Sequence, residues 1–158
     1  LNGPLEQAIA KFAAAVVNAK TVDPLISELV RLRCAQTHDC RLCKSLRNQE
    51  ALEQGFDEAM QRKIALYQTS DFSPDIIAAL RLCDAMIISP ADADVSLKQE
   101  LARHFSSEQI AEICLDVAKW SQQKALVALR TESPPWDTVN VLYFDDQGKP
   151  CFGGPAYN

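Results

Sequence analysis

The sequence of 158 residues lacks any apolar run approaching the roughly 20 residues that span a bilayer, so no membrane segment is expected. It also lacks a basic excess. Against 21 acidic side chains there are only 16 basic ones, for a net charge of -5, which argues against a protein that grips phosphate backbones. Five glycines and no low-complexity stretch exclude a collagenous or disordered chain. The first residues, Leu1 to Ala10, show no basic segment followed by an apolar one, so no secretory leader is read there and a cytoplasmic location is expected. Six cysteines are too sparse for a disulfide scaffold, and a core of this size does not need one. No internal repeat is visible, and the length fits one domain over residues 1–158.

Helical patterns dominate what remains, and the expected class is all-α, a helical bundle. Leu5, Ile9, Phe12, Val16 and Val17 fall at helical spacing within a segment from Leu5 to Ala19. Asp23 followed by Pro24 is a cap with proline at the first helical position, opening a helix to about Gln36. After the turn Thr37-His38-Asp39, a third helix is expected from Cys40 to Gln54, stopped by Gly55. Helices from Asp57 to Tyr67, from Ile76 to Ile88 behind the cap Ser73-Pro74, and from Ala93 to His104 follow. Ser106 and Gln109 form a capping-box signal for the longest helix, Glu108 to about Arg130. The tail is irregular, except that Val139 to Phe144 followed by Asp145-Asp146-Gln147-Gly148 suggests a strand or hairpin.

The chemical signal is Cys40-x-x-Cys43. Residues i and i+3 at the head of a helix are neighbours, and free backbone N–H groups there favour a thiolate. Arg41, Lys44 and Arg47 add positive charge, and Arg47, four residues beyond Cys43, is expected on the same helical face as both cysteines. Glu28 sits at the edge of the stripe formed by Leu25, Leu29 and Leu32. A hairpin through the Thr37–Asp39 turn would carry it towards the cysteines, where partial burial would make it a more useful base.

The run from Glu28 through Cys34-Ala35-Gln36-Thr37-His38-Asp39 to Cys40 and Cys43 resembles the alkylhydroperoxidase D-like branch of the carboxymuconolactone decarboxylase superfamily. Softer resemblance extends from about Asp23 to Arg130, including Phe105 to Glu112 and Trp120-Ser121. The resemblance implies a thiol-dependent antioxidant oxidoreductase in which Cys43 attacks a hydroperoxide, Cys40 resolves the sulfenic acid, and an external dithiol restores the pair. It also implies a glutamate, here Glu28, working with a histidine four residues after the second cysteine. That position is Arg47, which cannot relay protons at neutral pH but can stabilise a thiolate. His38 is the substitute shuttle this sequence offers. Homo-oligomers, trimers or hexamers, are implied as well. Val30 and Cys34, opposite the leucine stripe, suggest an apolar face left over for a partner.

Each residue also has a plainer explanation. Cys34, His38, Cys40 and Cys43 could form a zinc half-site, but Cys34 projects nearly opposite Leu29 and Leu32 and the spacing matches no common finger, so neither metal nor cofactor is expected. Glu28 could pair with Arg31 or Arg33, Arg47 with Glu50 or Glu53, and His38 could be a turn residue only. Cys83 and Cys114 read as buried apolar cysteines and Trp120 as a packing residue. Two competing functions stay open. One is a lactone decarboxylase of the same superfamily, for which Arg47 would hold a carboxylate; the other is a non-catalytic helical oligomer with redox-sensing cysteines.

Overall fold

The computed structural model describes residues 3–157, so the ends of the expected domain at Leu1, Asn2 and Asn158 lie outside the described residues. Helices carry most of the chain. α1 (Pro4–Val17) leads into α2 (Pro24–Thr37), whose N-cap Asp23 accepts a hydrogen bond from the Leu25 N–H at 2.8 Å with Pro24 at the first helical position. α2 is the central helix, packed against α6 (Pro74–Ile87) and α8 (Ser107–Ser121), with α7 (Val95–His104) covering α6. α8 opens with the expected capping box of Ser106 and Gln109. Among the described residues no helix is long and apolar enough to cross a membrane.

Leu29, Val30, Leu32 and Cys34 of α2 are all buried within the single chain, together with Leu80, Cys83, Ile113 and Val117. At about 1.5–3 kcal/mol for each large aliphatic side chain, this helix anchors the core. The apolar face expected to remain for a partner is therefore absent from α2, because α6 and α8 flank it from two directions. Cys34 Sγ lies 3.5 Å from Cys83 Sγ, joining α2 to α6.

The expected helix from Cys40 to Gln54 does not exist as one element. It divides into α3 (Arg41–Lys44), a strand β1 (Leu46–Asn48) and α4 (Gln49–Glu53). The cause is tertiary. β1 pairs in parallel with β2 (Asn140–Phe144), with Leu46 opposite Asn140 and Asn48 opposite Leu142, and β2 pairs antiparallel with β3 (Pro150–Pro155). Trp136 Nε1–H donates to Ser45 Oγ at 2.9 Å just before the strand, and the Asn48 side chain caps α4. The tail hairpin was expected, and its parallel partner was not.

Two further helices are shorter than their patterns suggest. The Asp57–Tyr67 segment is α5 (Glu58–Lys63) followed by a 3₁₀ stretch, Ile64–Thr69, kinked at Leu66. The longest expected helix stops at Ser121, turns at Gln122 and Gln123, and resumes as α9 (Lys124–Ala128). Gly148, in the β2–β3 turn at φ +71°, sits so close to α1 that a Cβ there would lie 2.6 Å from Ala14 Cα. The hairpin is thus pressed onto the helical body beside α3.

Candidate active site

α2 ends in a tight reversal. Asp39 takes the left-handed conformation at φ 56°, which Asp tolerates better than most residues, and the Cys40 N–H returns to the Ala35 carbonyl at 3.0 Å. Cys40 therefore caps α3, with its Sγ accepting from the Cys43 N–H at 3.3 Å. The two sulfurs lie 2.6 Å apart, and the Cys43 thiol also reaches Gln123 Oε1 at 2.9 Å. The hydrogen bond between the two sulfurs is the largest cause that brings Cys40 down to about 7, and it outweighs the burial that opposes it. The same bond to Cys40 pushes Cys43 well up, and burial adds to the effect. Within the pair, the thiol with the lowered pKa is Cys40.

Arg31 organises the floor of the site. Its guanidinium makes two bonds to Glu28, at 2.6 and 2.7 Å, and donates to the carbonyls of Cys43 at 2.9 Å and Leu46 at 2.6 Å. Glu28, only 2% exposed, is consumed by this pair and by the Asn48 N–H at 3.1 Å. No bond from Glu28 to either sulfur exists among the described residues. Glu28 acts on the cysteines through Arg31, which fixes the backbone on both sides of the C-terminal end of α3.

Above this floor Cys43 opens on a cavity of about 210 Å³ between α8 and the β2–β3 hairpin. Its walls include Leu42, Leu46, Leu142, Phe144 and Phe152, with Lys119 and Trp120 on the helical side. Cys40 is not on that wall. It faces a narrow crevice shared with Cys34, His38 and Val127.

Arg47 is placed elsewhere, while His38 borders the crevice that Cys40 faces. Because β1 is a strand, Arg47 does not follow the cysteines along a helical face; 2% exposed, it binds Glu58 at 2.9 Å and the carbonyls of Lys44 and Leu46 at 2.8 and 2.7 Å. Its partner is neither of the glutamates the sequence suggested. His38 Nε2 lies 3.1 Å from Ser121 Oγ, and burial together with Lys124 lowers its pKa. Cys34 lies against Cys83, and among the described residues no three His, Cys, Asp or Glu side chains are grouped so as to hold a metal ion. Sequence reasoning passed over Lys119 and Gln123. The signal for Lys119 lay in α8, where Glu112, Asp116 and Lys119 form an i, i+4, i+7 stripe beside the apolar stripe Ile113, Val117 and Trp120, and all three charged residues are buried; Gln123, in the turn after α8, had no such signal.

No protein-family model matches the chain. Two uncharacterised Mycobacterium tuberculosis proteins, MT2376 and Rv2313c, are each 38% identical over 124 residues, covering 78% of this chain. The chain spans 44% of their length. The uncharacterised Escherichia coli protein YnjA is 27% identical over 93 residues, 58% of this chain and 51% of its own. Among solved structures, an Agrobacterium tumefaciens protein of unknown function, ATU0492, described as a candidate antioxidant defence protein AhpD, superposes with a TM-score of 0.70 at 20% identity, covering 84% of this chain and 92% of its own. The fold is AhpD-like. The debrominase Bmp8, solved as a cysteine-to-alanine variant in complex with 2,3,4-tribromopyrrole, superposes with a TM-score of 0.66 at 22% identity over 84% of this chain and 71% of its own. Within this AhpD-like fold, the dithiol has one sulfur on an apolar cavity and its partner directly behind. That arrangement can accept an electrophilic atom on the first sulfur and expel it by closing a disulfide with the second.

Proposed function

We propose that the chain is an alkylhydroperoxidase-like, thiol-dependent oxidoreductase that reduces organic hydroperoxides through Cys43 and Cys40. The observation that carries this reading is the position of Cys43 on the cavity wall, with Cys40 2.6 Å behind it. The short S···S separation lets the Cys43 proton move to Cys40, leaving thiolate on the sulfur that meets substrate. Cys43 thiolate attacks the outer peroxide oxygen, the O–O bond breaks, and the alkoxide leaves as alcohol after taking up a proton. Cys43 is then a sulfenic acid. Cys40 thiolate displaces its oxygen, which departs as water, and the resulting disulfide is reduced by an external dithiol. Bmp8, which shares the fold, is solved with the small aromatic ligand 2,3,4-tribromopyrrole, and a largely apolar cavity of about 210 Å³ suits a ligand of that kind. A homo-oligomer belongs to the same reading, with sedimentation of a species larger than 17.5 kDa as its test.

The function is tested by adding cumene hydroperoxide to the reduced protein and counting free thiols. Loss of two thiols per chain, with sulfenic acid trapped on Cys43 in Cys40→Ser, is expected. Unchanged thiols would turn attention to a lactone decarboxylase or a non-catalytic redox module.

A further inference from the structure

Lys119 projects from α8 to the wall of the same cavity as Cys43 and is only 6% exposed. Its ammonium lies 2.9 Å from the Trp120 ring centroid and 5.4 Å from that of Phe144, and no ion pair ties it to a carboxylate among the described residues. The charged and titratable groups facing it are Arg31 from α2, Cys43 from α3 and Asp116 one turn back on its own helix. Asp116 is engaged with Ser27, and Arg31 is neutralised by Glu28. A buried cation is costly unless an anion meets it, and an aromatic face offsets only part of that cost. Burial, then the like charge of Arg31, draws Lys119 down to about 7. This is an amine built into a largely apolar cavity with no ion pair to a carboxylate among the described residues.

We infer that the cavity binds an apolar substrate carrying a carboxylate, which pairs with Lys119 while the apolar body lies against Leu142, Phe144 and Phe152 beside Cys43. The volume of about 210 Å³ exceeds the roughly 150 Å³ that accepts a benzene ring, so a substituted arene or a short branched chain fits. That the substrate is a hydroperoxide rests on the function proposed above; that it is an acid rests on Lys119. Binding such an acid restores the full charge of Lys119. At pH 8 the complex must therefore take up a proton, and affinity must fall as the pH rises above about 7.

The test is calorimetric titration of the reduced protein with phenylacetate and with its uncharged analogue phenylacetamide. Phenylacetate is expected to bind at least about tenfold more tightly at pH 6.5. At pH 8 its heat should vary with the ionisation enthalpy of the buffer, reporting proton uptake, while that of phenylacetamide should not. Lys119→Met should remove the preference by weakening phenylacetate alone. Equal affinities for the two ligands, binding of neither, heat independent of buffer, or a preference that survives in Lys119→Met would each overturn the inference. If Lys119→Met does not fold, the buffer dependence in the unaltered protein decides. Selective phenylacetate binding by a protein whose thiols ignore hydroperoxide would uphold the acid site while removing the peroxidase reading.

Discussion

Replacing Glu28 by glutamine separates a base from a positioning residue. The carboxylate makes two charge-assisted bonds to Arg31 and accepts a third from the Asn48 N–H, all in the interior. Glutamine keeps one acceptor oxygen but presents an NH₂ group to a guanidinium that can only donate, and Arg31 becomes an uncompensated buried cation. One lost charge-assisted bond is worth about 1.5–3 kcal/mol, and breaking a buried pair from one side costs about 3–5 kcal/mol. We expect Glu28→Gln to lose about 3–5 kcal/mol in urea unfolding, and Glu28→Gln/Arg31→Met to recover part of that loss because no bare charge remains. The thiols report separately. Arg31 already favours the Cys40 thiolate, so an Arg31 freed of its partner should lower the Cys40 pKa from about 7, visible in the thiolate absorbance near 240 nm. If Glu28 instead takes the cysteine proton directly, the thiolate titration moves up or stays put and peroxide attack collapses. A stability loss below about 1 kcal/mol, or an upward thiolate shift, would refute the positioning argument.

Other expectations follow from neighbouring contacts. Asp116 is raised to about 7, chiefly by burial, from an unfolded value near 4. The folded chain therefore holds a proton there that the unfolded chain releases, and wild-type stability falls as pH rises from about 4 to 7. Asp116→Asn should match the wild type near pH 4 and exceed it by about 1–3 kcal/mol at pH 8, measured by urea unfolding at both pH values. Arg47→His should not raise peroxide turnover and His38→Ala should leave the pH–rate profile unchanged, because their side chains face Glu58 and Ser121; a gain in the first or a lost limb in the second would restore the relay role. Gly148→Ala meets both a positive φ and Ala14 at 2.6 Å, so thermal unfolding should show a loss of about 2 kcal/mol or more. Brief iodoacetamide treatment followed by mass mapping should label the Cys40–Cys43 pair ahead of Cys83, because Cys43 lies on the cavity wall and Cys40 is lowered to about 7 while burial and Cys34 push Cys83 up.

Much of the helical order was readable because local signals coincide with it. Asp23-Pro24 and the Ser106–Gln109 box mark helix starts through hydrogen bonds made within four residues, and those bonds are present. The segment after Cys43 was not readable. Leu46-Arg47-Asn48 becomes a strand only because Asn140 to Leu142 lies beside it, and no pattern within either segment announces a parallel partner so far along the chain. That single error misplaced Arg47. Glu28 and Arg31 stood three residues apart, so their pairing was legible, but its depth depends on helices contributed from elsewhere. Lys119 was hidden by its type, since a lysine in an amphipathic helix ordinarily snorkels to water.

The parallel pairing of Leu46–Asn48 with Asn140–Phe144 joins segments about ninety residues apart, and the hairpin supplies Leu142, Phe144 and Phe152 to the wall facing Cys43. During synthesis, therefore, the dithiol emerges from the ribosome long before its cover does. In that interval Cys40 and Cys43 are exposed to any cellular oxidant or metal, with neither cavity nor selectivity. Proteolysis in the hairpin would strip Leu142, Phe144 and Phe152 from that wall and uncover Cys43 again.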